Sequence, residues 1–568
     1  MLYIPLKLKG FFSRHHRVLF YSTWAILALV QAYYTELMDD EAYYWLYSSH
    51  LAFGYYEHPP MIAIMIRAGY LIFQNELGVR LFAVVLNIAT IYLVQQLLHR
   101  KNDLLFYAIV ISISITQLGG FIAAPDSPMI CCIVIFFHAY QSFIRKMDWA
   151  NTLLLGLVAA LLLYSKYHGI FVLLFTLLSN PKLFTKRKAW LAGLITFLLL
   201  IPHFYWQWIN DFPSLRLHLS ERLASNYKVS YTFNYVSGQI LTAGPLAGWL
   251  LLWAAFRYKP VSLTERALKF TLCGIYLFFL AFSFKSYVEA NWTIAAFVGL
   301  IVLSHQYLAT NRVLRRWLYL SVPFSLLLVF ANRAFLVLDN QFTRKMTKSE
   351  FHGNKTSAQI LQRRIDNLPL VILNSYQKSS KYSFYTMQHS FSLNTANYHR
   401  NSFNYWDVED SLIGHPAFVI GEKDSLLNEP LGLPQYPNVY GKRVNNYYSF
   451  SRVLFNNIQN VAWRNGNLQL NCSIKTPSNY LTAFQYTPFD TAGIYIALYK
   501  EDNEVSSYHK CDLTLKGIDR AVMTRRIYCS AFPPGKYTAR IVISSCLPGL
   551  FTINSNKFLI TQPVGYRR

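Results

Sequence analysis

Long apolar runs with almost no charged residue fill residues 18–338 and then stop. About 20 apolar residues are needed to cross a bilayer as a helix, and several of these runs are shorter than that. We predict membrane segments at 18–37, 79–98, 104–119, 126–144, 150–165, 168–180, 189–208, 235–256, 268–284, 292–308 and 317–338. The pattern therefore predicts a polytopic α-helical membrane protein of about 11 transmembrane helices, followed by a part that faces water.

The distribution of the basic residues sets the predicted orientation. The net charge of +25 would suit a nucleic-acid-binding protein, but the Lys and Arg residues are clustered in short connections between apolar runs. Such clusters are typical of cytoplasmic loops. They are Lys7/Lys9/Arg14/Arg17, Arg100/Lys101, Arg145/Lys146, Lys182/Lys186/Arg187/Lys188, Arg257/Lys259/Arg266/Lys269 and Arg312/Arg315/Arg316. An odd number of segments that starts inside puts every cluster in the cytoplasm and the C-terminus outside. We expect membrane lipids as partners, and no nucleic acid.

The sequence changes in character beyond residue 338. A helical stretch at 356–366 and strand-like stretches at 369–373 and 417–420 predict a small α/β domain over 339–450. Short alternating strands with turn signals follow, and they predict a β-sandwich-like domain over 451–568. With the membrane domain at 1–338, this gives three predicted domains.

Four of the seven cysteines fall in the last hundred residues, in the part predicted to lie outside the cytoplasm. They are Cys472, Cys511, Cys529 and Cys546. An even number in such a domain predicts two disulfides, with three pairings open. A zinc site is the alternative, but no Cys-x-x-Cys spacing supports it.

Three carboxylates, Asp39, Asp40 and Glu41, stand where the chain leaves the first membrane segment. A carboxylate at the rim of a bilayer is costly unless it has a function. It can act as a general base toward a hydroxyl, hold a metal ion or cap a helix. The plainer interpretation is a polar loop within an aromatic belt. The apolar stretch 61–73 further along predicts an amphipathic helix lying on the membrane surface.

Further charged residues follow at the outer ends of apolar runs. Asp126 is a second acid or a helix cap, and Lys166 either extends its head group toward water or meets an anion. His58, Arg222 and Lys285 are additional outer cations. A phosphate brought in on a lipid needs such partners to neutralise its charge.

Five motifs occur in order at the outer ends of these runs. They are Asp-Glu-Ala-Tyr-Tyr-Trp (40–45), Gly-Tyr-Tyr-Glu-His-Pro-Pro (54–60), Ala-Pro-Asp-Ser-Pro (124–128), Ser-Lys-Tyr-His-Gly (165–169) and Glu-Ala-Asn-Trp (289–292). As a set they resemble the dolichyl-phosphate-mannose protein mannosyltransferase-like superfamily, which includes glycosyltransferase family 39 and the lipid A aminoarabinose transferases and has the GT-C fold. The resemblance covers 18–338 and extends to 399–406, which is similar to an element of bacterial members. The β-rich domain lies outside it.

The resemblance implies inverting transfer of a sugar from a polyprenyl phosphate to a hydroxyl outside the membrane. The sugar would be mannose-like or another hexose or pentose, and the acceptor a protein, lipid or polysaccharide. Asp40 would correspond to the first-loop catalytic acid with Glu41 beside it, and Asp126 to the second acid. Lys166 would bind the donor phosphate, with His58, Arg222 and Lys285. The predicted substrate-binding residues are Glu57, Tyr55, Tyr167, Glu289, Asn291, Trp292 and Arg400.

One departure from the family pattern is His58, which stands where aminoarabinose transferases have lysine in Tyr-x-Glu-Lys-Pro-Pro. It favours the broader bacterial mannosyltransferase-like branch over lipid A modification, and it weakens the transfer of a metal site at Glu57. No cofactor is certain, and a divalent metal ion stays open. The location implied is the bacterial inner membrane, with the C-terminal domains outside. The alternative function is a polyprenyl-linked sugar flippase or transporter, which would predict charges in mid-segment and an inverted repeat.

Overall fold

The computed structural model describes residues 6–221, 227–346, 350–422, 426–464, 467–485, 492–499 and 504–562. The chain divides into a membrane unit, Met1–His352, and a C-terminal unit, Gly353–Arg568.

The described part of the membrane unit is almost entirely helical. Its α-helices are α1 (Leu6–Tyr34), α2 (Asp39–Ser49), α3 (Met61–Tyr70), α4 (Glu76–Leu97), α5 (Asp103–Ser112), α6 (Ser114–Leu118), α7 (Asp126–Arg145), α8 (Trp149–Ser165), α9 (Gly169–Ser179), α10 (Arg187–Ile209), α11 (Pro213–Arg216), α12 (Val229–Ala243), α13 (Gly248–Arg257), α14 (Leu263–Ser283), α15 (Phe297–Thr310), α16 (Arg312–Val337) and α17 (Gln341–Met346).

The polytopic membrane architecture is confirmed, whereas the number of spans is not. Among the described residues, 6 helices are long and apolar enough to cross a membrane, or up to 8 if each bent pair counts as one span. Every predicted segment coincides with helix, but some helices are short. The segment predicted at 104–119 breaks into α5 and α6 at Ile113, and α9 has 11 residues. Helix α3 covers residues 61–70 of the stretch predicted at 61–73.

Two sharp bends shape this unit. The axes of α1 and α2 differ by 84°, and those of α12 and α13 by 92°. The second bend begins at Gly244, whose φ of 138° lies in the region that favours glycine. A Cβ there would also stand 2.5 Å from the carbonyl oxygen of Ser112, at the end of α5. The first bend turns the chain at the acidic motif, so that α2 presents its first turn beside the membrane helices.

The C-terminal unit contains a five-stranded mixed sheet. Its strands are β1 (Leu370–Leu373), β2 (Ser390–Leu393), β3 (Ala417–Glu422), β4 (Glu429–Pro430) and β5 (Val439–Val444). The strand order is β2-β1-β3-β5-β4, and β1 lies parallel to both β2 and β3. Two helices accompany this sheet, α18 (Asn354–Arg364) and α19 (Tyr376–Thr386). The predicted helix and both predicted strands of this α/β region are present.

The remaining strands form an antiparallel sheet with the order β12-β11-β8-β9-β10-β7-β6, and β13 pairs with β11. They are β6 (Leu454–Arg464), β7 (Asn467–Lys475), β8 (Gly493–Tyr499), β9 (Val505–Thr514), β10 (Val522–Cys529), β11 (Gly535–Ser544), β12 (Phe551–Ile553) and β13 (Phe558–Gln562), with a short helix α20 (Ser478–Ala483). Residues of β7 and β10 share one hydrophobic core with residues of β8 and β11. The sheet therefore folds over this core in the manner of a sandwich.

The cysteines correct the expectation of two disulfides. Cys511 of β9 and Cys529 of β10 form one disulfide, at the residue pair that joins these strands. Cys472 and Cys546 are free. The second predicted bridge is therefore absent from the structure, because pairing depends on strand register, which the cysteine count does not contain.

Candidate functional site

Helix α2 begins at the acidic motif, so Asp39, Asp40 and Glu41 occupy its first turn. Negative side chains are favourable there because the helix dipole and the unpaired N–H groups are positive at this end. Asp40 is half-buried. The preference of a helix N-terminus for acidic residues therefore explains part of this motif. The contacts of each side chain show which carboxylate has a structural role and which one is available for chemistry.

Glu41 is fully buried against Arg80 of α4. Its Oε1 accepts hydrogen bonds of 2.8 Å from Arg80 Nε and 2.8 Å from the Ala123 amide. Its Oε2 accepts bonds of 2.5 Å from Arg80 Nη2 and 2.9 Å from the Met38 amide. A carboxylate has about four lone-pair positions, and all of them are used. This arrangement argues for a structural role of Glu41 rather than the predicted catalytic one.

The bond from the Ala123 amide has a second consequence. It holds the first turn of α2, which carries Asp40, against the loop that leads into α7. Asp126 is the first residue of α7, three positions after Ala123. Arg80 locks the other side by donating to the backbone oxygens of Ala32, Thr35 and Glu36 at the end of α1. The Glu41–Arg80 pair therefore brings the elements of both predicted acids together.

Asp126 and Lys166 form a second buried ion pair, and both were predicted site residues. Lys166 Nζ donates to Asp126 Oδ1 at 2.7 Å and to Oδ2 at 2.9 Å. Asn291, from the Glu-Ala-Asn-Trp motif, donates to Oδ2 at 3.4 Å. The side chain of Asp126 keeps 12% of its surface exposed, so this carboxylate can still be reached. Three motifs far apart in the chain thus meet at one point.

A cavity of about 350 Å³ lies beside Asp126, the acidic member of this ion pair. Its polar lining includes Asp126, Asn291, Asn87 and Thr116, and Met38 at the start of α2 lines it as well. Most of the remaining wall is apolar, with Ile, Val and Phe side chains from α4, α5, α7 and α15. Such a cavity suits a molecule with a polar head and an apolar tail.

The tyrosines of α2 bind the loop that carries Glu57 and His58. Tyr43 and Tyr47 lie four residues apart on one helix face. Tyr43 donates to Glu57 Oε1 and Oε2 at 3.2 Å each, and Tyr47 donates to Oε2 at 2.5 Å. The hydroxyl of Tyr44 lies 3.1 Å from His58 Nε2. The aromatic residues of the first motif therefore position the charged residues of the second.

Tyr167, next to Lys166, connects to the same loop through a chain of hydrogen bonds. Its hydroxyl lies 3.2 Å from His203 Nε2 and accepts a bond of 3.0 Å from Gln207 Nε2. Gln207 also donates to Ser214 Oγ, which donates to the backbone oxygen of Tyr55. Burial raises the pKa of both Tyr167 and Tyr55, so these hydroxyls stay protonated as donors.

The other predicted residues take varied positions. Trp292 packs near His168, with ring centroids 5.9 Å apart, so it contacts the turn that carries Lys166. Lys285 and Glu289 are exposed in the loop before Asn291. Arg400 lies in the C-terminal unit, where it donates to Asn556 Oδ1 at 2.8 Å. Arg222 lies outside the described residues.

Sequence reasoning missed Arg80, His203 and Gln207, which hold the candidate site together. Each is a polar side chain inside a predicted membrane segment, and such residues are rare without a function. His203 and Gln207 are also four residues apart, on one face of α10. These two signals could have identified them.

No group of three or more His, Cys, Asp or Glu side chains that could hold a metal ion occurs among residues whose placement is described. The divalent ion therefore stays an untested prediction.

Comparisons with known proteins concern the family and the fold of the chain. A family model described as dolichyl-phosphate-mannose-protein mannosyltransferase matches residues 57–206. Lipid A galacturonosyltransferase RgtD from Rhizobium johnstonii is 25% identical over 309 residues, which is 50% of this chain and 63% of that protein. The chain thus matches less than two thirds of the length of this curated relative.

Two crystal structures of ArnT from Cupriavidus metallidurans have a similar fold. The apo structure matches with a TM-score of 0.57 at 11% identity, over 76% of this chain and 98% of ArnT. The structure bound to undecaprenyl phosphate matches with a TM-score of 0.53 at 13% identity, over 72% and 93% of the two chains. At these identities the likeness concerns the fold. Together with the family match across the His58, Asp126 and Lys166 motifs, it confirms the predicted GT-C type of fold.

Proposed function

We propose that this protein is an integral-membrane inverting glycosyltransferase that moves a sugar from a polyprenyl phosphate to a hydroxyl of an acceptor. The observation that carries the proposal is that Asp126, which is paired with Lys166, lines a largely apolar cavity. A lipid-linked sugar has the same division into a charged head and an apolar tail. The similarity to RgtD, and to a fold that binds undecaprenyl phosphate in ArnT, supports the same substrate class.

The base in this proposal is Asp40. Glu41 is excluded because its four lone-pair positions are occupied, and Asp126 already accepts two bonds from Lys166. Asp40 accepts the proton of the acceptor hydroxyl while the hydroxyl oxygen attacks the anomeric carbon. The bond from that carbon to the phosphate oxygen breaks, and polyprenyl phosphate leaves with the electron pair. Attack opposite the leaving group inverts the anomeric carbon.

Lys166 stabilises the leaving phosphate. A lysine ammonium has three N–H groups, and the two bonds to Asp126 leave the third for a phosphate oxygen. Developing negative charge is stabilised most where cations are already positioned in a water-poor site. Asp126 orients the ammonium group and is itself bound by Asn291, and Tyr44 contacts His58, a further predicted phosphate ligand. Arg222 and Lys285 stay as predicted further cations.

The acceptor and the location belong to the same proposal. The presence of His58 in place of lysine argued against lipid A as the acceptor. RgtD is named as a lipid A galacturonosyltransferase, so lipid A is again a candidate acceptor. Protein and polysaccharide hydroxyls remain the other candidates. The proposal locates the site at the outer face of the bacterial inner membrane, with the C-terminal unit outside, and the distribution of the basic clusters supports this orientation.

A flippase or transporter is not favoured. That function would place charges along a path in mid-membrane. Instead, Arg80 lies in the first turns of α4 and is saturated by Glu41 and backbone oxygens, so it offers no open path.

The test is direct transfer by the purified full-length protein in detergent, with a radiolabelled polyprenyl-phosphate sugar. Mass spectrometry of cell-envelope glycoconjugates with and without the protein selects the sugar and the acceptor to use. We expect label to move to the acceptor with inversion at the anomeric carbon. Movement of the intact lipid-linked sugar across vesicles, without transfer, would overturn the proposal in favour of a flippase.

A further inference from the structure

The outer face of the second sheet carries two buried arginines that the proposed reaction does not use. This face, opposite the shared core of the sheet, includes Ala497 and Tyr499 of β8 and Val542 of β11. Residues near Ala396 pack over it: the Ala396 amide donates to the Phe551 oxygen, and the Tyr499 hydroxyl donates to the Ala396 oxygen at 2.7 Å. Arg400 follows this covering segment, and Arg540 lies on β11.

Both arginine residues are more than nine-tenths buried, with 5% of Arg400 and 4% of Arg540 exposed. Arg400 uses Nη1 to donate to Asn556 Oδ1, but its Nε and Nη2 have no hydrogen-bond partner among the described residues. Within the same described part of the chain, Arg540 Nε has none either. A buried charged donor left unpaired costs more than a neutral one, so such groups normally have a partner.

The two arginines converge on Tyr499. The Arg540 Cζ atom lies 5.9 Å from the centroid of the Tyr499 ring, and Lys557 Nζ lies 4.7 Å from it. Arg400 reaches the same place through Asn556, the residue before Lys557, to which it donates a hydrogen bond of 2.8 Å. Three cationic side chains are therefore gathered around one aromatic ring.

The chemistry of these groups selects the ligand class. Guanidinium groups bind oxyanions through paired N–H donors, and phosphate accepts several such bonds at once. Lys557 is exposed, so the cluster has a side open to solvent. Glu504, directly before β9, is also exposed, so water screens its charge.

We propose that Arg400 and Arg540 form a binding site for a phosphate group on the outer face of β8 and β11, with Lys557 at its solvent-facing side. The site lies within the C-terminal unit and is independent of sugar transfer by the membrane unit. The phosphate can be a free ion or belong to a lipid head group, and the two sources need separate measurements.

The experiment is isothermal titration calorimetry on the full-length protein in detergent. One arm uses inorganic phosphate and the other a soluble short-chain phosphatidic acid, each compared with acetate at equal ionic strength. Binding of inorganic phosphate indicates recognition of the free group, and binding of the phosphatidic acid alone indicates a lipid source. Absence of binding in both arms, or equal binding of acetate, would overturn the proposal.

Variants identify the residues. Arg400→Gln and Arg540→Gln should each weaken binding roughly ten- to hundredfold, since each removes charge-assisted hydrogen bonds. Arg400→Lys keeps the positive charge but loses the planar, forked geometry of the guanidinium group, so it should recover only part of the affinity. This variant also tests the site if Arg400→Gln does not fold. The matched control is Arg525→Gln on β10, which removes an exposed positive charge. Equal loss in this control and in the two buried variants would show nonspecific attraction and overturn the site.

Discussion

The membrane unit contains two buried ion pairs, each formed by one acidic and one basic side chain. They differ in what surrounds them. Glu41 and Arg80 are both fully buried, and every acceptor position of the carboxylate is used. In the pair of Asp126 and Lys166, Asp126 lines a cavity and remains partly exposed. The first pair is closed to any ligand, whereas the second is open to one.

This difference distinguishes charged residues that stabilise the fold from charged residues that are available to a substrate. A saturated buried pair contributes little to reactivity, but removing one partner leaves an uncompensated charge. An open pair keeps a donor and an acceptor available at a place where a substrate can enter. Asp40 is the neighbour of Glu41 and is held in place by the closed pair, yet we assign the proton transfer to it. The following changes test this division, from the largest expected effect to the smallest.

The largest effect is expected for Asp40→Asn, which removes the proposed base while keeping its size. The rate of transfer should fall about a hundred- to ten-thousand-fold, the usual contribution of a general base. Transfer kinetics with saturating donor measure this, and the melting temperature should stay unchanged. Asp39→Asn in the same helical turn is the matched control. Wild-type turnover of Asp40→Asn would move the base to another residue.

Breaking the closed pair should mainly cost stability. Glu41→Gln should destabilise the protein by about 3–5 kcal/mol, because Arg80 is left buried without its counter-charge. Thermal unfolding followed by intrinsic fluorescence measures the loss. The double variant Glu41→Gln with Arg80→Leu removes both charges and should recover part of it. If the single variant unfolds like the wild type, the pair does not hold α2 against α4.

Breaking the open pair should mainly cost activity. Lys166→Ala should weaken donor binding roughly ten- to hundredfold, since a charge-assisted hydrogen bond to phosphate is lost. Lys166→Arg should restore only part of the affinity, because a planar fork replaces a compact ammonium group. Binding of a fluorescent polyprenyl phosphate gives the comparison. Equal affinity in Lys166→Ala and wild type would place the phosphate elsewhere.

The smallest effect is expected for the exposed pair of Lys146 and Asp148, 3.3 Å apart at the end of α7. Lys146→Ala should change neither the melting temperature nor the transfer rate beyond error, because water and salt screen exposed charges. It provides the baseline for the other variants. A loss as large as that of Glu41→Gln would mean that burial does not distinguish the pairs.

Much of the fold could be predicted because it follows from local pattern. The apolar runs and helix α3 come from hydrophobic spacing, and the strands around 370 and 417 come from short apolar stretches. The span count could not be read in this way, since α5, α9 and α13 are short pieces whose length depends on breaks and neighbours. The site was predicted in parts: Asp126, Lys166 and Asn291 were named individually, but not as one cluster.

The sequence alone determined which residue types stand at the ends of the membrane segments, because crossing a bilayer restricts charges to those ends. It also indicated the superfamily, through motifs in a fixed order. Only the tertiary structure decided that Glu41 is closed by Arg80 and that Asp126 is open to a cavity. It also decided that Cys511 pairs with Cys529, while Cys472 and Cys546 stay free. These outcomes depend on contacts between residues distant in the chain, and such contacts are set by packing rather than by local sequence.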